Sequence, residues 1–450
     1  AGLVADLDRC ANELDETGTI PPFLLGSRDI SDVFQVPQRL YGREQHLYAL
    51  TDALERVADS GEAELALVAG PGGIGKSTLV QALRETVTRA GGVMISGAFG
   101  AHQRGIPYAP FAEAINELVQ QSLALPPTQL KEHRERLQER VGAHGGVITD
   151  LVPRAALVLG EMPPAPPIPL HETQARAHRV IGSFLDAHAE DHPVVIVLDD
   201  LQWADPATLT LVADLLDHAR ARKVLILGTY RDDAIGPDDP LSTLTLTPGL
   251  ATTTVQLQPL PSSSVRQLLA DTLGTTPERC SDLAMVVTEK TGGNPFYLVQ
   301  FLDDLHQGGL ITNDRSGGGW QWDAERVASA AVTDNVVDLM SGRLQALPDD
   351  TQRVLAIAAF LGSPFDRRSL AAATGHTERS VETDLWDAMR QRLVLARGDG
   401  YRFSHDRVEQ AAYQLVPEAE RTELHLEIGR RLLAAVQPEE LDEQIFSITR

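Results

Sequence analysis

Residues 64–78 read Glu64-Leu-Ala-Leu-Val-Ala69-Gly70-Pro71-Gly72-Gly73-Ile74-Gly75-Lys76-Ser77-Thr78. The apolar run ends in Gly70-Pro71-Gly72-Gly73-Ile74-Gly75-Lys76-Ser77, which satisfies the phosphate-loop pattern G-x-x-x-x-G-K-[ST] at every defined position. The run has the composition of a buried strand, and Leu79, Val80 and Leu83 continue beyond the loop at helical spacing. Strand, loop and helix therefore follow in the order the motif requires. Glycines let successive backbone N–H groups converge on a phosphate, and the helix N-terminus adds partial positive charge. Lys76 is expected to reach the β- and γ-phosphates of a nucleotide and Ser77 to hold a magnesium ion. Gly70, Gly72, Gly73, Ile74, Gly75 and Thr78 complete the cradle. A Gly-rich surface turn is the plain alternative, and the full match weighs against it.

At 450 residues the chain exceeds one ordinary core, and about three or four domains are expected. A hydrophobic content of 43% is ordinary for a soluble globular protein. No run approaches the roughly 18 apolar residues of a membrane span. The first residues carry early acids and show no signal peptide. Cys10 and Cys280 form no motif, which suits a reducing cytoplasm. The net charge of −24 is spread along the chain and disfavours non-specific nucleic-acid binding. There is no start methionine and both ends fall in unfinished patterns, so an excerpt from a longer protein is expected.

Five short apolar segments read as strands of a parallel sheet: 64–69, 92–97, 194–199, 223–229 and 253–258. Helical periodicity between them makes the class α/β. The long interval 98–190 holds amphipathic segments near 110–124 and 129–140, then a stiff Pro-rich connection at 163–169. From about 260 the strand signals fade, and 262–274, 279–290 and 295–308 read as a small helical domain. Helices near 350–361, 366–374 and 377–391, then strands near 393–397 and 400–404, have the layout of a winged helix. An amphipathic helix over 417–436 places Leu424, Ile428 and Leu432 on one face and is expected to open a helical-repeat array. The resulting division is 1–36 for an upstream tail and linker, 37–260 for the nucleotide-binding domain, 261–342 for the helical domain, 343–416 for the winged helix and 417–450 for the start of the repeats.

The second nucleotide signal is Val194-Val-Ile-Val-Leu-Asp199-Asp200, a buried strand ending in acid, as a Walker B element requires. Asp199 would orient magnesium and Asp200 would polarise the attacking water. Asp205 and Pro206 then cap the next helix. A third strand ends in Thr229-Tyr230-Arg231, where Arg231 could sense the γ-phosphate; an ordinary surface arginine is the alternative. Thr291-Gly-Gly-Asn294-Pro295-Phe296 is a turn that opens a helix. Phe403-Ser-His405-Asp406 ends the expected wing, and its lone histidine reads either as a structural hydrogen-bonding residue or as a ligand contact.

These pieces in this order resemble the STAND class of signalling ATPases, a branch of the AAA+ superfamily. The resemblance implies an α/β P-loop NTPase with an ASCE/AAA+ type parallel sheet and flanking helices. A helical domain, a winged helix and helical repeats would follow it. It also implies that Tyr41-Gly42-Arg43-Glu44 borders the adenine, that Pro295 of Gly293-Asn294-Pro295 packs near adenine, and that His405 reaches the β-phosphate of ADP. A closer likeness covers nearly the whole chain: residues 19–44, 99–109, 198–205 and 403–415 resemble large bacterial signalling proteins. In those, a serine/threonine kinase domain is followed by such an ATPase, helical repeats, a GAF domain and often a sensor histidine kinase. This chain contains neither a catalytic-loop His-Arg-Asp nor an Asp-Phe-Gly, so no kinase activity is assigned to it.

The function implied is an ATP-driven conformational switch in signal transduction, cytoplasmic, with Mg2+ as cofactor and slow hydrolysis as reset. ADP would hold a closed state, and ATP would release it for signalling or nucleotide-dependent homo-oligomerisation. The partners expected are the nucleotide and flanking domains of the same polypeptide, with no membrane. The alternative is the ATPase module of a DNA-binding regulator or replication initiator. Against it, the candidate recognition helix 377–391 carries Glu378, Glu382, Asp384 and Asp387 opposite only Arg379 and Arg390. A scaffold with a structural nucleotide is a third reading, which intact Lys76, Asp199 and Asp200 disfavour.

Overall fold

The computed structural model describes residues 34–37, 39–100, 107–160, 162, 170–190, 192–217, 223–236, 240–241, 251–314, 319–329, 336–363, 365–397 and 400–435, with positions 7, 10, 11, 13 and 14 besides. The expected upstream junction at 19–33, the Pro-rich stretch at 163–169 and everything beyond 435 lie outside the described residues. The chain forms two compact units. The smaller comprises residues 1–45, 73–75 and 258–332, and the larger 46–72, 76–257 and 333–450.

The larger unit is built on five strands: β1 (Glu64–Ala69), β2 (Val93–Ala98), β3 (Val194–Asp199), β4 (Val224–Tyr230) and β5 (Thr252–Gln256). Their order is β2-β3-β4-β1-β5 and every pairing is parallel. Each lies within two residues of its sequence expectation. The central strands are uninterrupted apolar runs because both faces of a parallel sheet are covered. Every residue of β1 is buried, as is every residue but the last of β3 and β4. Helix Lys76–Arg89 follows β1 and buries Leu79, Val80, Leu83 and Val87. Among the described residues between β2 and β3 run five α-helices, including Ala109–Leu123, Pro127–Val141 and Leu170–His188. Phe111, Ile115, Leu118 and Phe184 from these helices share one core with Ile95, Ile196 and Leu198 of the sheet. Gly97 is required by close approach, since a Cβ there would lie 2.0 Å from the Pro110 carbonyl oxygen.

The sheet order matters for chemistry. β4 stands between β1 and β3, so the carboxyl ends of three adjacent strands present the phosphate loop, Thr229 to Arg231, and Asp199-Asp200 side by side.

The C-terminal part of the larger unit contains helices Asp349–Leu361, Arg367–Thr374 and Glu378–Arg390, then antiparallel strands Val394–Arg397 and Gly400–Phe403. Two features were not expected from the sequence. A two-residue strand, Phe365–Asp366, pairs with Gly400–Phe403, and helices Val336–Gln345 and Asp406–Gln414 flank the group. Two residues are too few for any periodicity to register. The last helix, Glu418–Ala435, buries Ile428 and Leu432.

The smaller unit packs helices Ser262–Leu273, Ser281–Thr291 and Pro295–Gln307 around Leu269, Leu283, Val287, Leu298 and Leu302, with Val36 and Tyr41 in the same core. It is not purely helical. Strands Ile311–Asp314 and Gly319–Trp322 form an antiparallel hairpin with Ile311 opposite Trp322. Each strand has four residues, so the alternation that buries Ile311 and Trp320 is too brief to stand out in sequence.

Candidate nucleotide site

In the larger unit, Lys76 is the first residue of helix Lys76–Arg89 and is buried. Its Nζ donates to the carbonyl oxygens of Gly70 at 2.8 Å and Pro71 at 3.2 Å. Both partners are backbone carbonyls at the start of the loop, so the side chain folds back along the segment that precedes its helix. Ser77 and Thr78 follow on the exposed side of the first helical turn, and Gly72 is buried.

Beside it, the ends of β3 and β4 form a hydrogen-bonded set. The Thr229 hydroxyl, fully buried, donates to Asp199 Oδ1 and accepts from the Asp200 backbone N–H at 3.2 Å. One side chain on β4 thus holds the Asp199 carboxylate and the backbone of Asp200, the residue that follows β3. Asp200 takes a left-handed backbone (φ 62, ψ 47), a conformation uncommon for a non-glycine residue. Its Oδ1 accepts from Gln202 Nε2 at 2.7 Å, and Gln202 Oε1 accepts from the Arg231 N–H at 3.1 Å. The Arg231 guanidinium forms a two-pronged pair with Asp233, at 3.1 Å and 2.9 Å. That hydrogen bond, more than any other influence, holds the Asp233 carboxyl below the usual carboxylate range. Asp205 caps helix Pro206–Asp217 as the sequence implied, its Oδ1 accepting from Thr208 N–H at 2.9 Å.

In the smaller unit the middle of the loop, Gly73–Gly75, is held from two directions. Arg43 is buried, and its Nη2 donates to Gln258 O at 2.6 Å and Ile74 O at 3.3 Å. Burial lowers its pKa, because enclosure disfavours the charged form. Phe296 N–H donates to Gly73 O at 3.2 Å. In a planar trans peptide the N–H points opposite the C=O. Tying the Gly73 and Ile74 carbonyls outward therefore aims the N–H groups of Ile74 and Gly75 to the other side, the arrangement of an anion-binding nest. Gly73 and Gly75 have φ of +79 and +99, which L side chains rarely adopt. Pro295 opens helix Pro295–Gln307, with Asn294 as its cap, and Pro295 Cγ lies 4.0 Å from where a Gly75 Cβ would stand. Gly42 (φ +62) packs so closely that a Cβ would meet Ser264 Oγ at 2.3 Å. Arg43, expected with Gly42 beside the adenine, braces the loop through its side-chain bond to Ile74 O.

His405 precedes helix Asp406–Gln414 and caps it: its Nδ1 accepts from Arg407 N–H at 3.1 Å. An accepting Nδ1 places the ring proton on Nε2 of the neutral imidazole. Two residues on, the Arg407 side chain reaches the phosphate loop. A Cβ on Gly72 would lie 3.5 Å from Arg407 Nε and 3.6 Å from Arg231 Cζ. Sequence reasoning missed Arg407, Asp233, Gln202 and the hydroxyl bridge from Thr229. Arg407 lies two residues from the singled-out His405, and no local signal marks it.

Ser77 and Asp199 offer a hydroxyl and a carboxylate oxygen, hard donors suited to a magnesium ion that keeps water and phosphate as its other ligands. Among the described residues no group of three or more His, Cys, Asp or Glu is placed to hold a metal unaided. No helix among them is long and apolar enough to cross a membrane.

Residues 39–227 match the AAA ATPase domain family. Over 92% of its length the chain is 26% identical to hybrid signal transduction histidine kinase G of Dictyostelium discoideum. It is 22% identical, over 67% of its length, to peroxide stress-activated histidine kinase mak2 of Schizosaccharomyces pombe. The chain spans only 15% and 14% of those two relatives. Among solved structures it resembles a Signal Transduction ATPase with Numerous Domains (STAND) protein with a tetratricopeptide repeat sensor from Pyrococcus horikoshii. That likeness has a TM-score of 0.50 and 15% identity, covering 93% of this chain and 49% of that one. The resemblance to STAND-class AAA+ ATPases read from the sequence is borne out, and the parallel five-stranded sheet is that of a P-loop NTPase.

Proposed function

We propose that the chain is an ATP-binding conformational switch within a signal-transduction protein, with slow hydrolysis as its reset. The observation that supports this most is the Thr229 hydroxyl bridging Asp199 and Asp200 on the strand next to the phosphate-loop strand. This bond fixes the Asp199 carboxylate at the carboxyl end of the sheet, where a magnesium-binding acid is needed.

In this reading the loop 70–78 binds the phosphates through the N–H groups of Ile74 and Gly75 and through Lys76. Ser77 and Asp199 hold magnesium, which when bound neutralises charge on the phosphate oxygens. Asp200 orients the attacking water and Arg231, exchanging Asp233 for phosphate, senses the terminal group. Pro295 lies towards the adenine end, and His405 donates Nε2–H to the β-phosphate of ADP. Residues 37–260, 261–342, 343–416 and 417–450 act as nucleotide domain, helical domain, winged helix and first helical repeat. The acidic face of helix Glu378–Arg390 argues that the winged helix works within the protein and not on DNA. A location in the cytoplasm agrees with two unpaired cysteines. Kinase domains in the same polypeptide are the natural partners, as the names of the relatives suggest.

The test is calorimetry and X-ray scattering on the 450-residue chain. Lys76→Ala should abolish tight binding of ATP and ADP, and unchanged affinity would refute the site. Identical scattering with ATP and with ADP would refute the switch.

A further inference from the structure

Two guanidinium groups converge on one backbone position of the phosphate loop. Arg407 Nε and Arg231 Cζ lie 3.5 Å and 3.6 Å from where a Gly72 Cβ would be, and Arg407 Nη2 lies at 3.6 Å. The two cations are therefore within about 7 Å of each other, inside a Debye length of about 10 Å. The Asp233 carboxylate accepts two hydrogen bonds from the Arg231 side chain. Asp233 feels the charge of Arg407 only through space. Among the described residues, the hydrogen-bond partner of the Arg407 guanidinium is the neutral amide oxygen of Gln410, at 2.8 Å, and no carboxylate lies within ion-pair distance. Two guanidinium groups thus flank the loop at Gly72, in a chain whose net charge is −24. Like charges held this close call for an anion.

We propose that Arg407 is a phosphate-binding residue that, with Arg231, grips the terminal phosphate of a nucleoside triphosphate at Gly72. This rests on the reading of loop 70–78 as a nucleotide site. Arg407 is the second residue of helix Asp406–Gln414 in the C-terminal part of the larger unit, whereas Gly72 and Arg231 follow strands β1 and β4. The charge on the nucleotide therefore acts directly on that helix. A guanidinium suits the task because its planar fork meets phosphate oxygens two at a time.

The experiment measures ATP and ADP affinity by calorimetry for the 450-residue chain and for Arg407→Ala, Arg407→Lys, Gln410→Ala and Lys76→Ala. Loss of one charge-assisted contact corresponds to a fall of roughly tenfold to a hundredfold in affinity. Arg407→Ala should weaken ATP by that factor and ADP by less, with a shallower dependence of ATP affinity on salt. Arg407→Lys should recover part of the loss, and Gln410→Ala should bind as the parent does. If Lys76→Ala binds normally, the nucleotide site itself is misassigned. If Lys76→Ala fails to bind while Arg407→Ala binds ATP normally, the role of Arg407 is overturned. It is equally overturned if Gln410→Ala reproduces the loss, because Arg407 then acts by bracing its helix. Should Arg407→Ala not fold, Arg407→Lys decides: undiminished ATP affinity with unchanged salt dependence refutes the two-pronged contact.

Discussion

Replacing Arg43 with Met removes the buried guanidinium that fastens the middle of the phosphate loop while nearly preserving volume. The structure sets the magnitude. The bond to Gln258 O at 2.6 Å is a short charge-assisted one, worth about 1.5–3 kcal/mol. The bond to Ile74 O at 3.3 Å is long and contributes about 0.5–1.5 kcal/mol. Against these stands relief of burying the cation, an effect already visible in its lowered pKa. The net loss should be about 2–3 kcal/mol, localised to residues 73–75. If all of it loosens the binding-competent loop, ATP affinity falls by at most roughly 30- to 150-fold. Calorimetry measures the affinity, and hydrogen exchange of the peptide covering 70–78 reports the loosening. Arg43→Lys should fall between the two, because one ammonium cannot span both carbonyls as the fork does. If Arg43→Met binds ATP within about twofold of the parent and exchange at 70–78 is unchanged, Arg43 does not organise the loop.

Other perturbations separate roles that the geometry overlays. His405→Ala should lose the helix cap, about 0.5–2 kcal/mol, as well as the proposed phosphate contact. His405→Asn keeps a capping side chain, so it should melt near the parent while ADP affinity alone falls; an unaltered ADP/ATP affinity ratio in both would leave His405 a cap only. Asp200→Asn retains an acceptor for Gln202 and should bind Mg-ATP while steady-state hydrolysis drops; loss of magnesium dependence instead would exchange the roles of Asp199 and Asp200. The ring nitrogens of His188 are enclosed by Phe184 O at 2.9 Å and His133 Nε2 at 3.2 Å although part of the ring reaches the surface, and burial pushes its pKa down from 6.5 to about 3. Below pH 6.5 the unfolded chain takes up this proton and the folded chain does not, so stability is full above pH 6.5 and drains away towards pH 3. Acidification from pH 7 to 5 should cost about 2 kcal/mol through this group, and His188→Gln should remove that part of the pH dependence in urea unfolding. An identical pH dependence in parent and variant would show that His188 is protonated in the fold.

Residues 64–83 were legible in sequence because a phosphate loop takes its ligands from consecutive backbone groups, so strand, glycines, lysine and helix must be contiguous. The strands β1 and β3 were legible because burial on both faces demands uninterrupted apolar runs. The acid pair after β3 could be named for the same reason, since it follows the run directly. What the tertiary structure alone decided is which strand ends meet. Placing β4 between β1 and β3 brings Thr229 onto Asp199 and Asp200, and no periodicity encodes a lateral strand order. Arg43 reaches partners 31 and 215 positions away, and Arg407 meets Gly72 from another part of the chain. The hairpin Ile311–Asp314 and Gly319–Trp322 escaped notice because its strands are shorter than the pattern that announces a strand. Local backbone chemistry is written in neighbouring residues, whereas a salt bridge or hydroxyl bridge between distant segments exists only once apolar burial has brought those segments together.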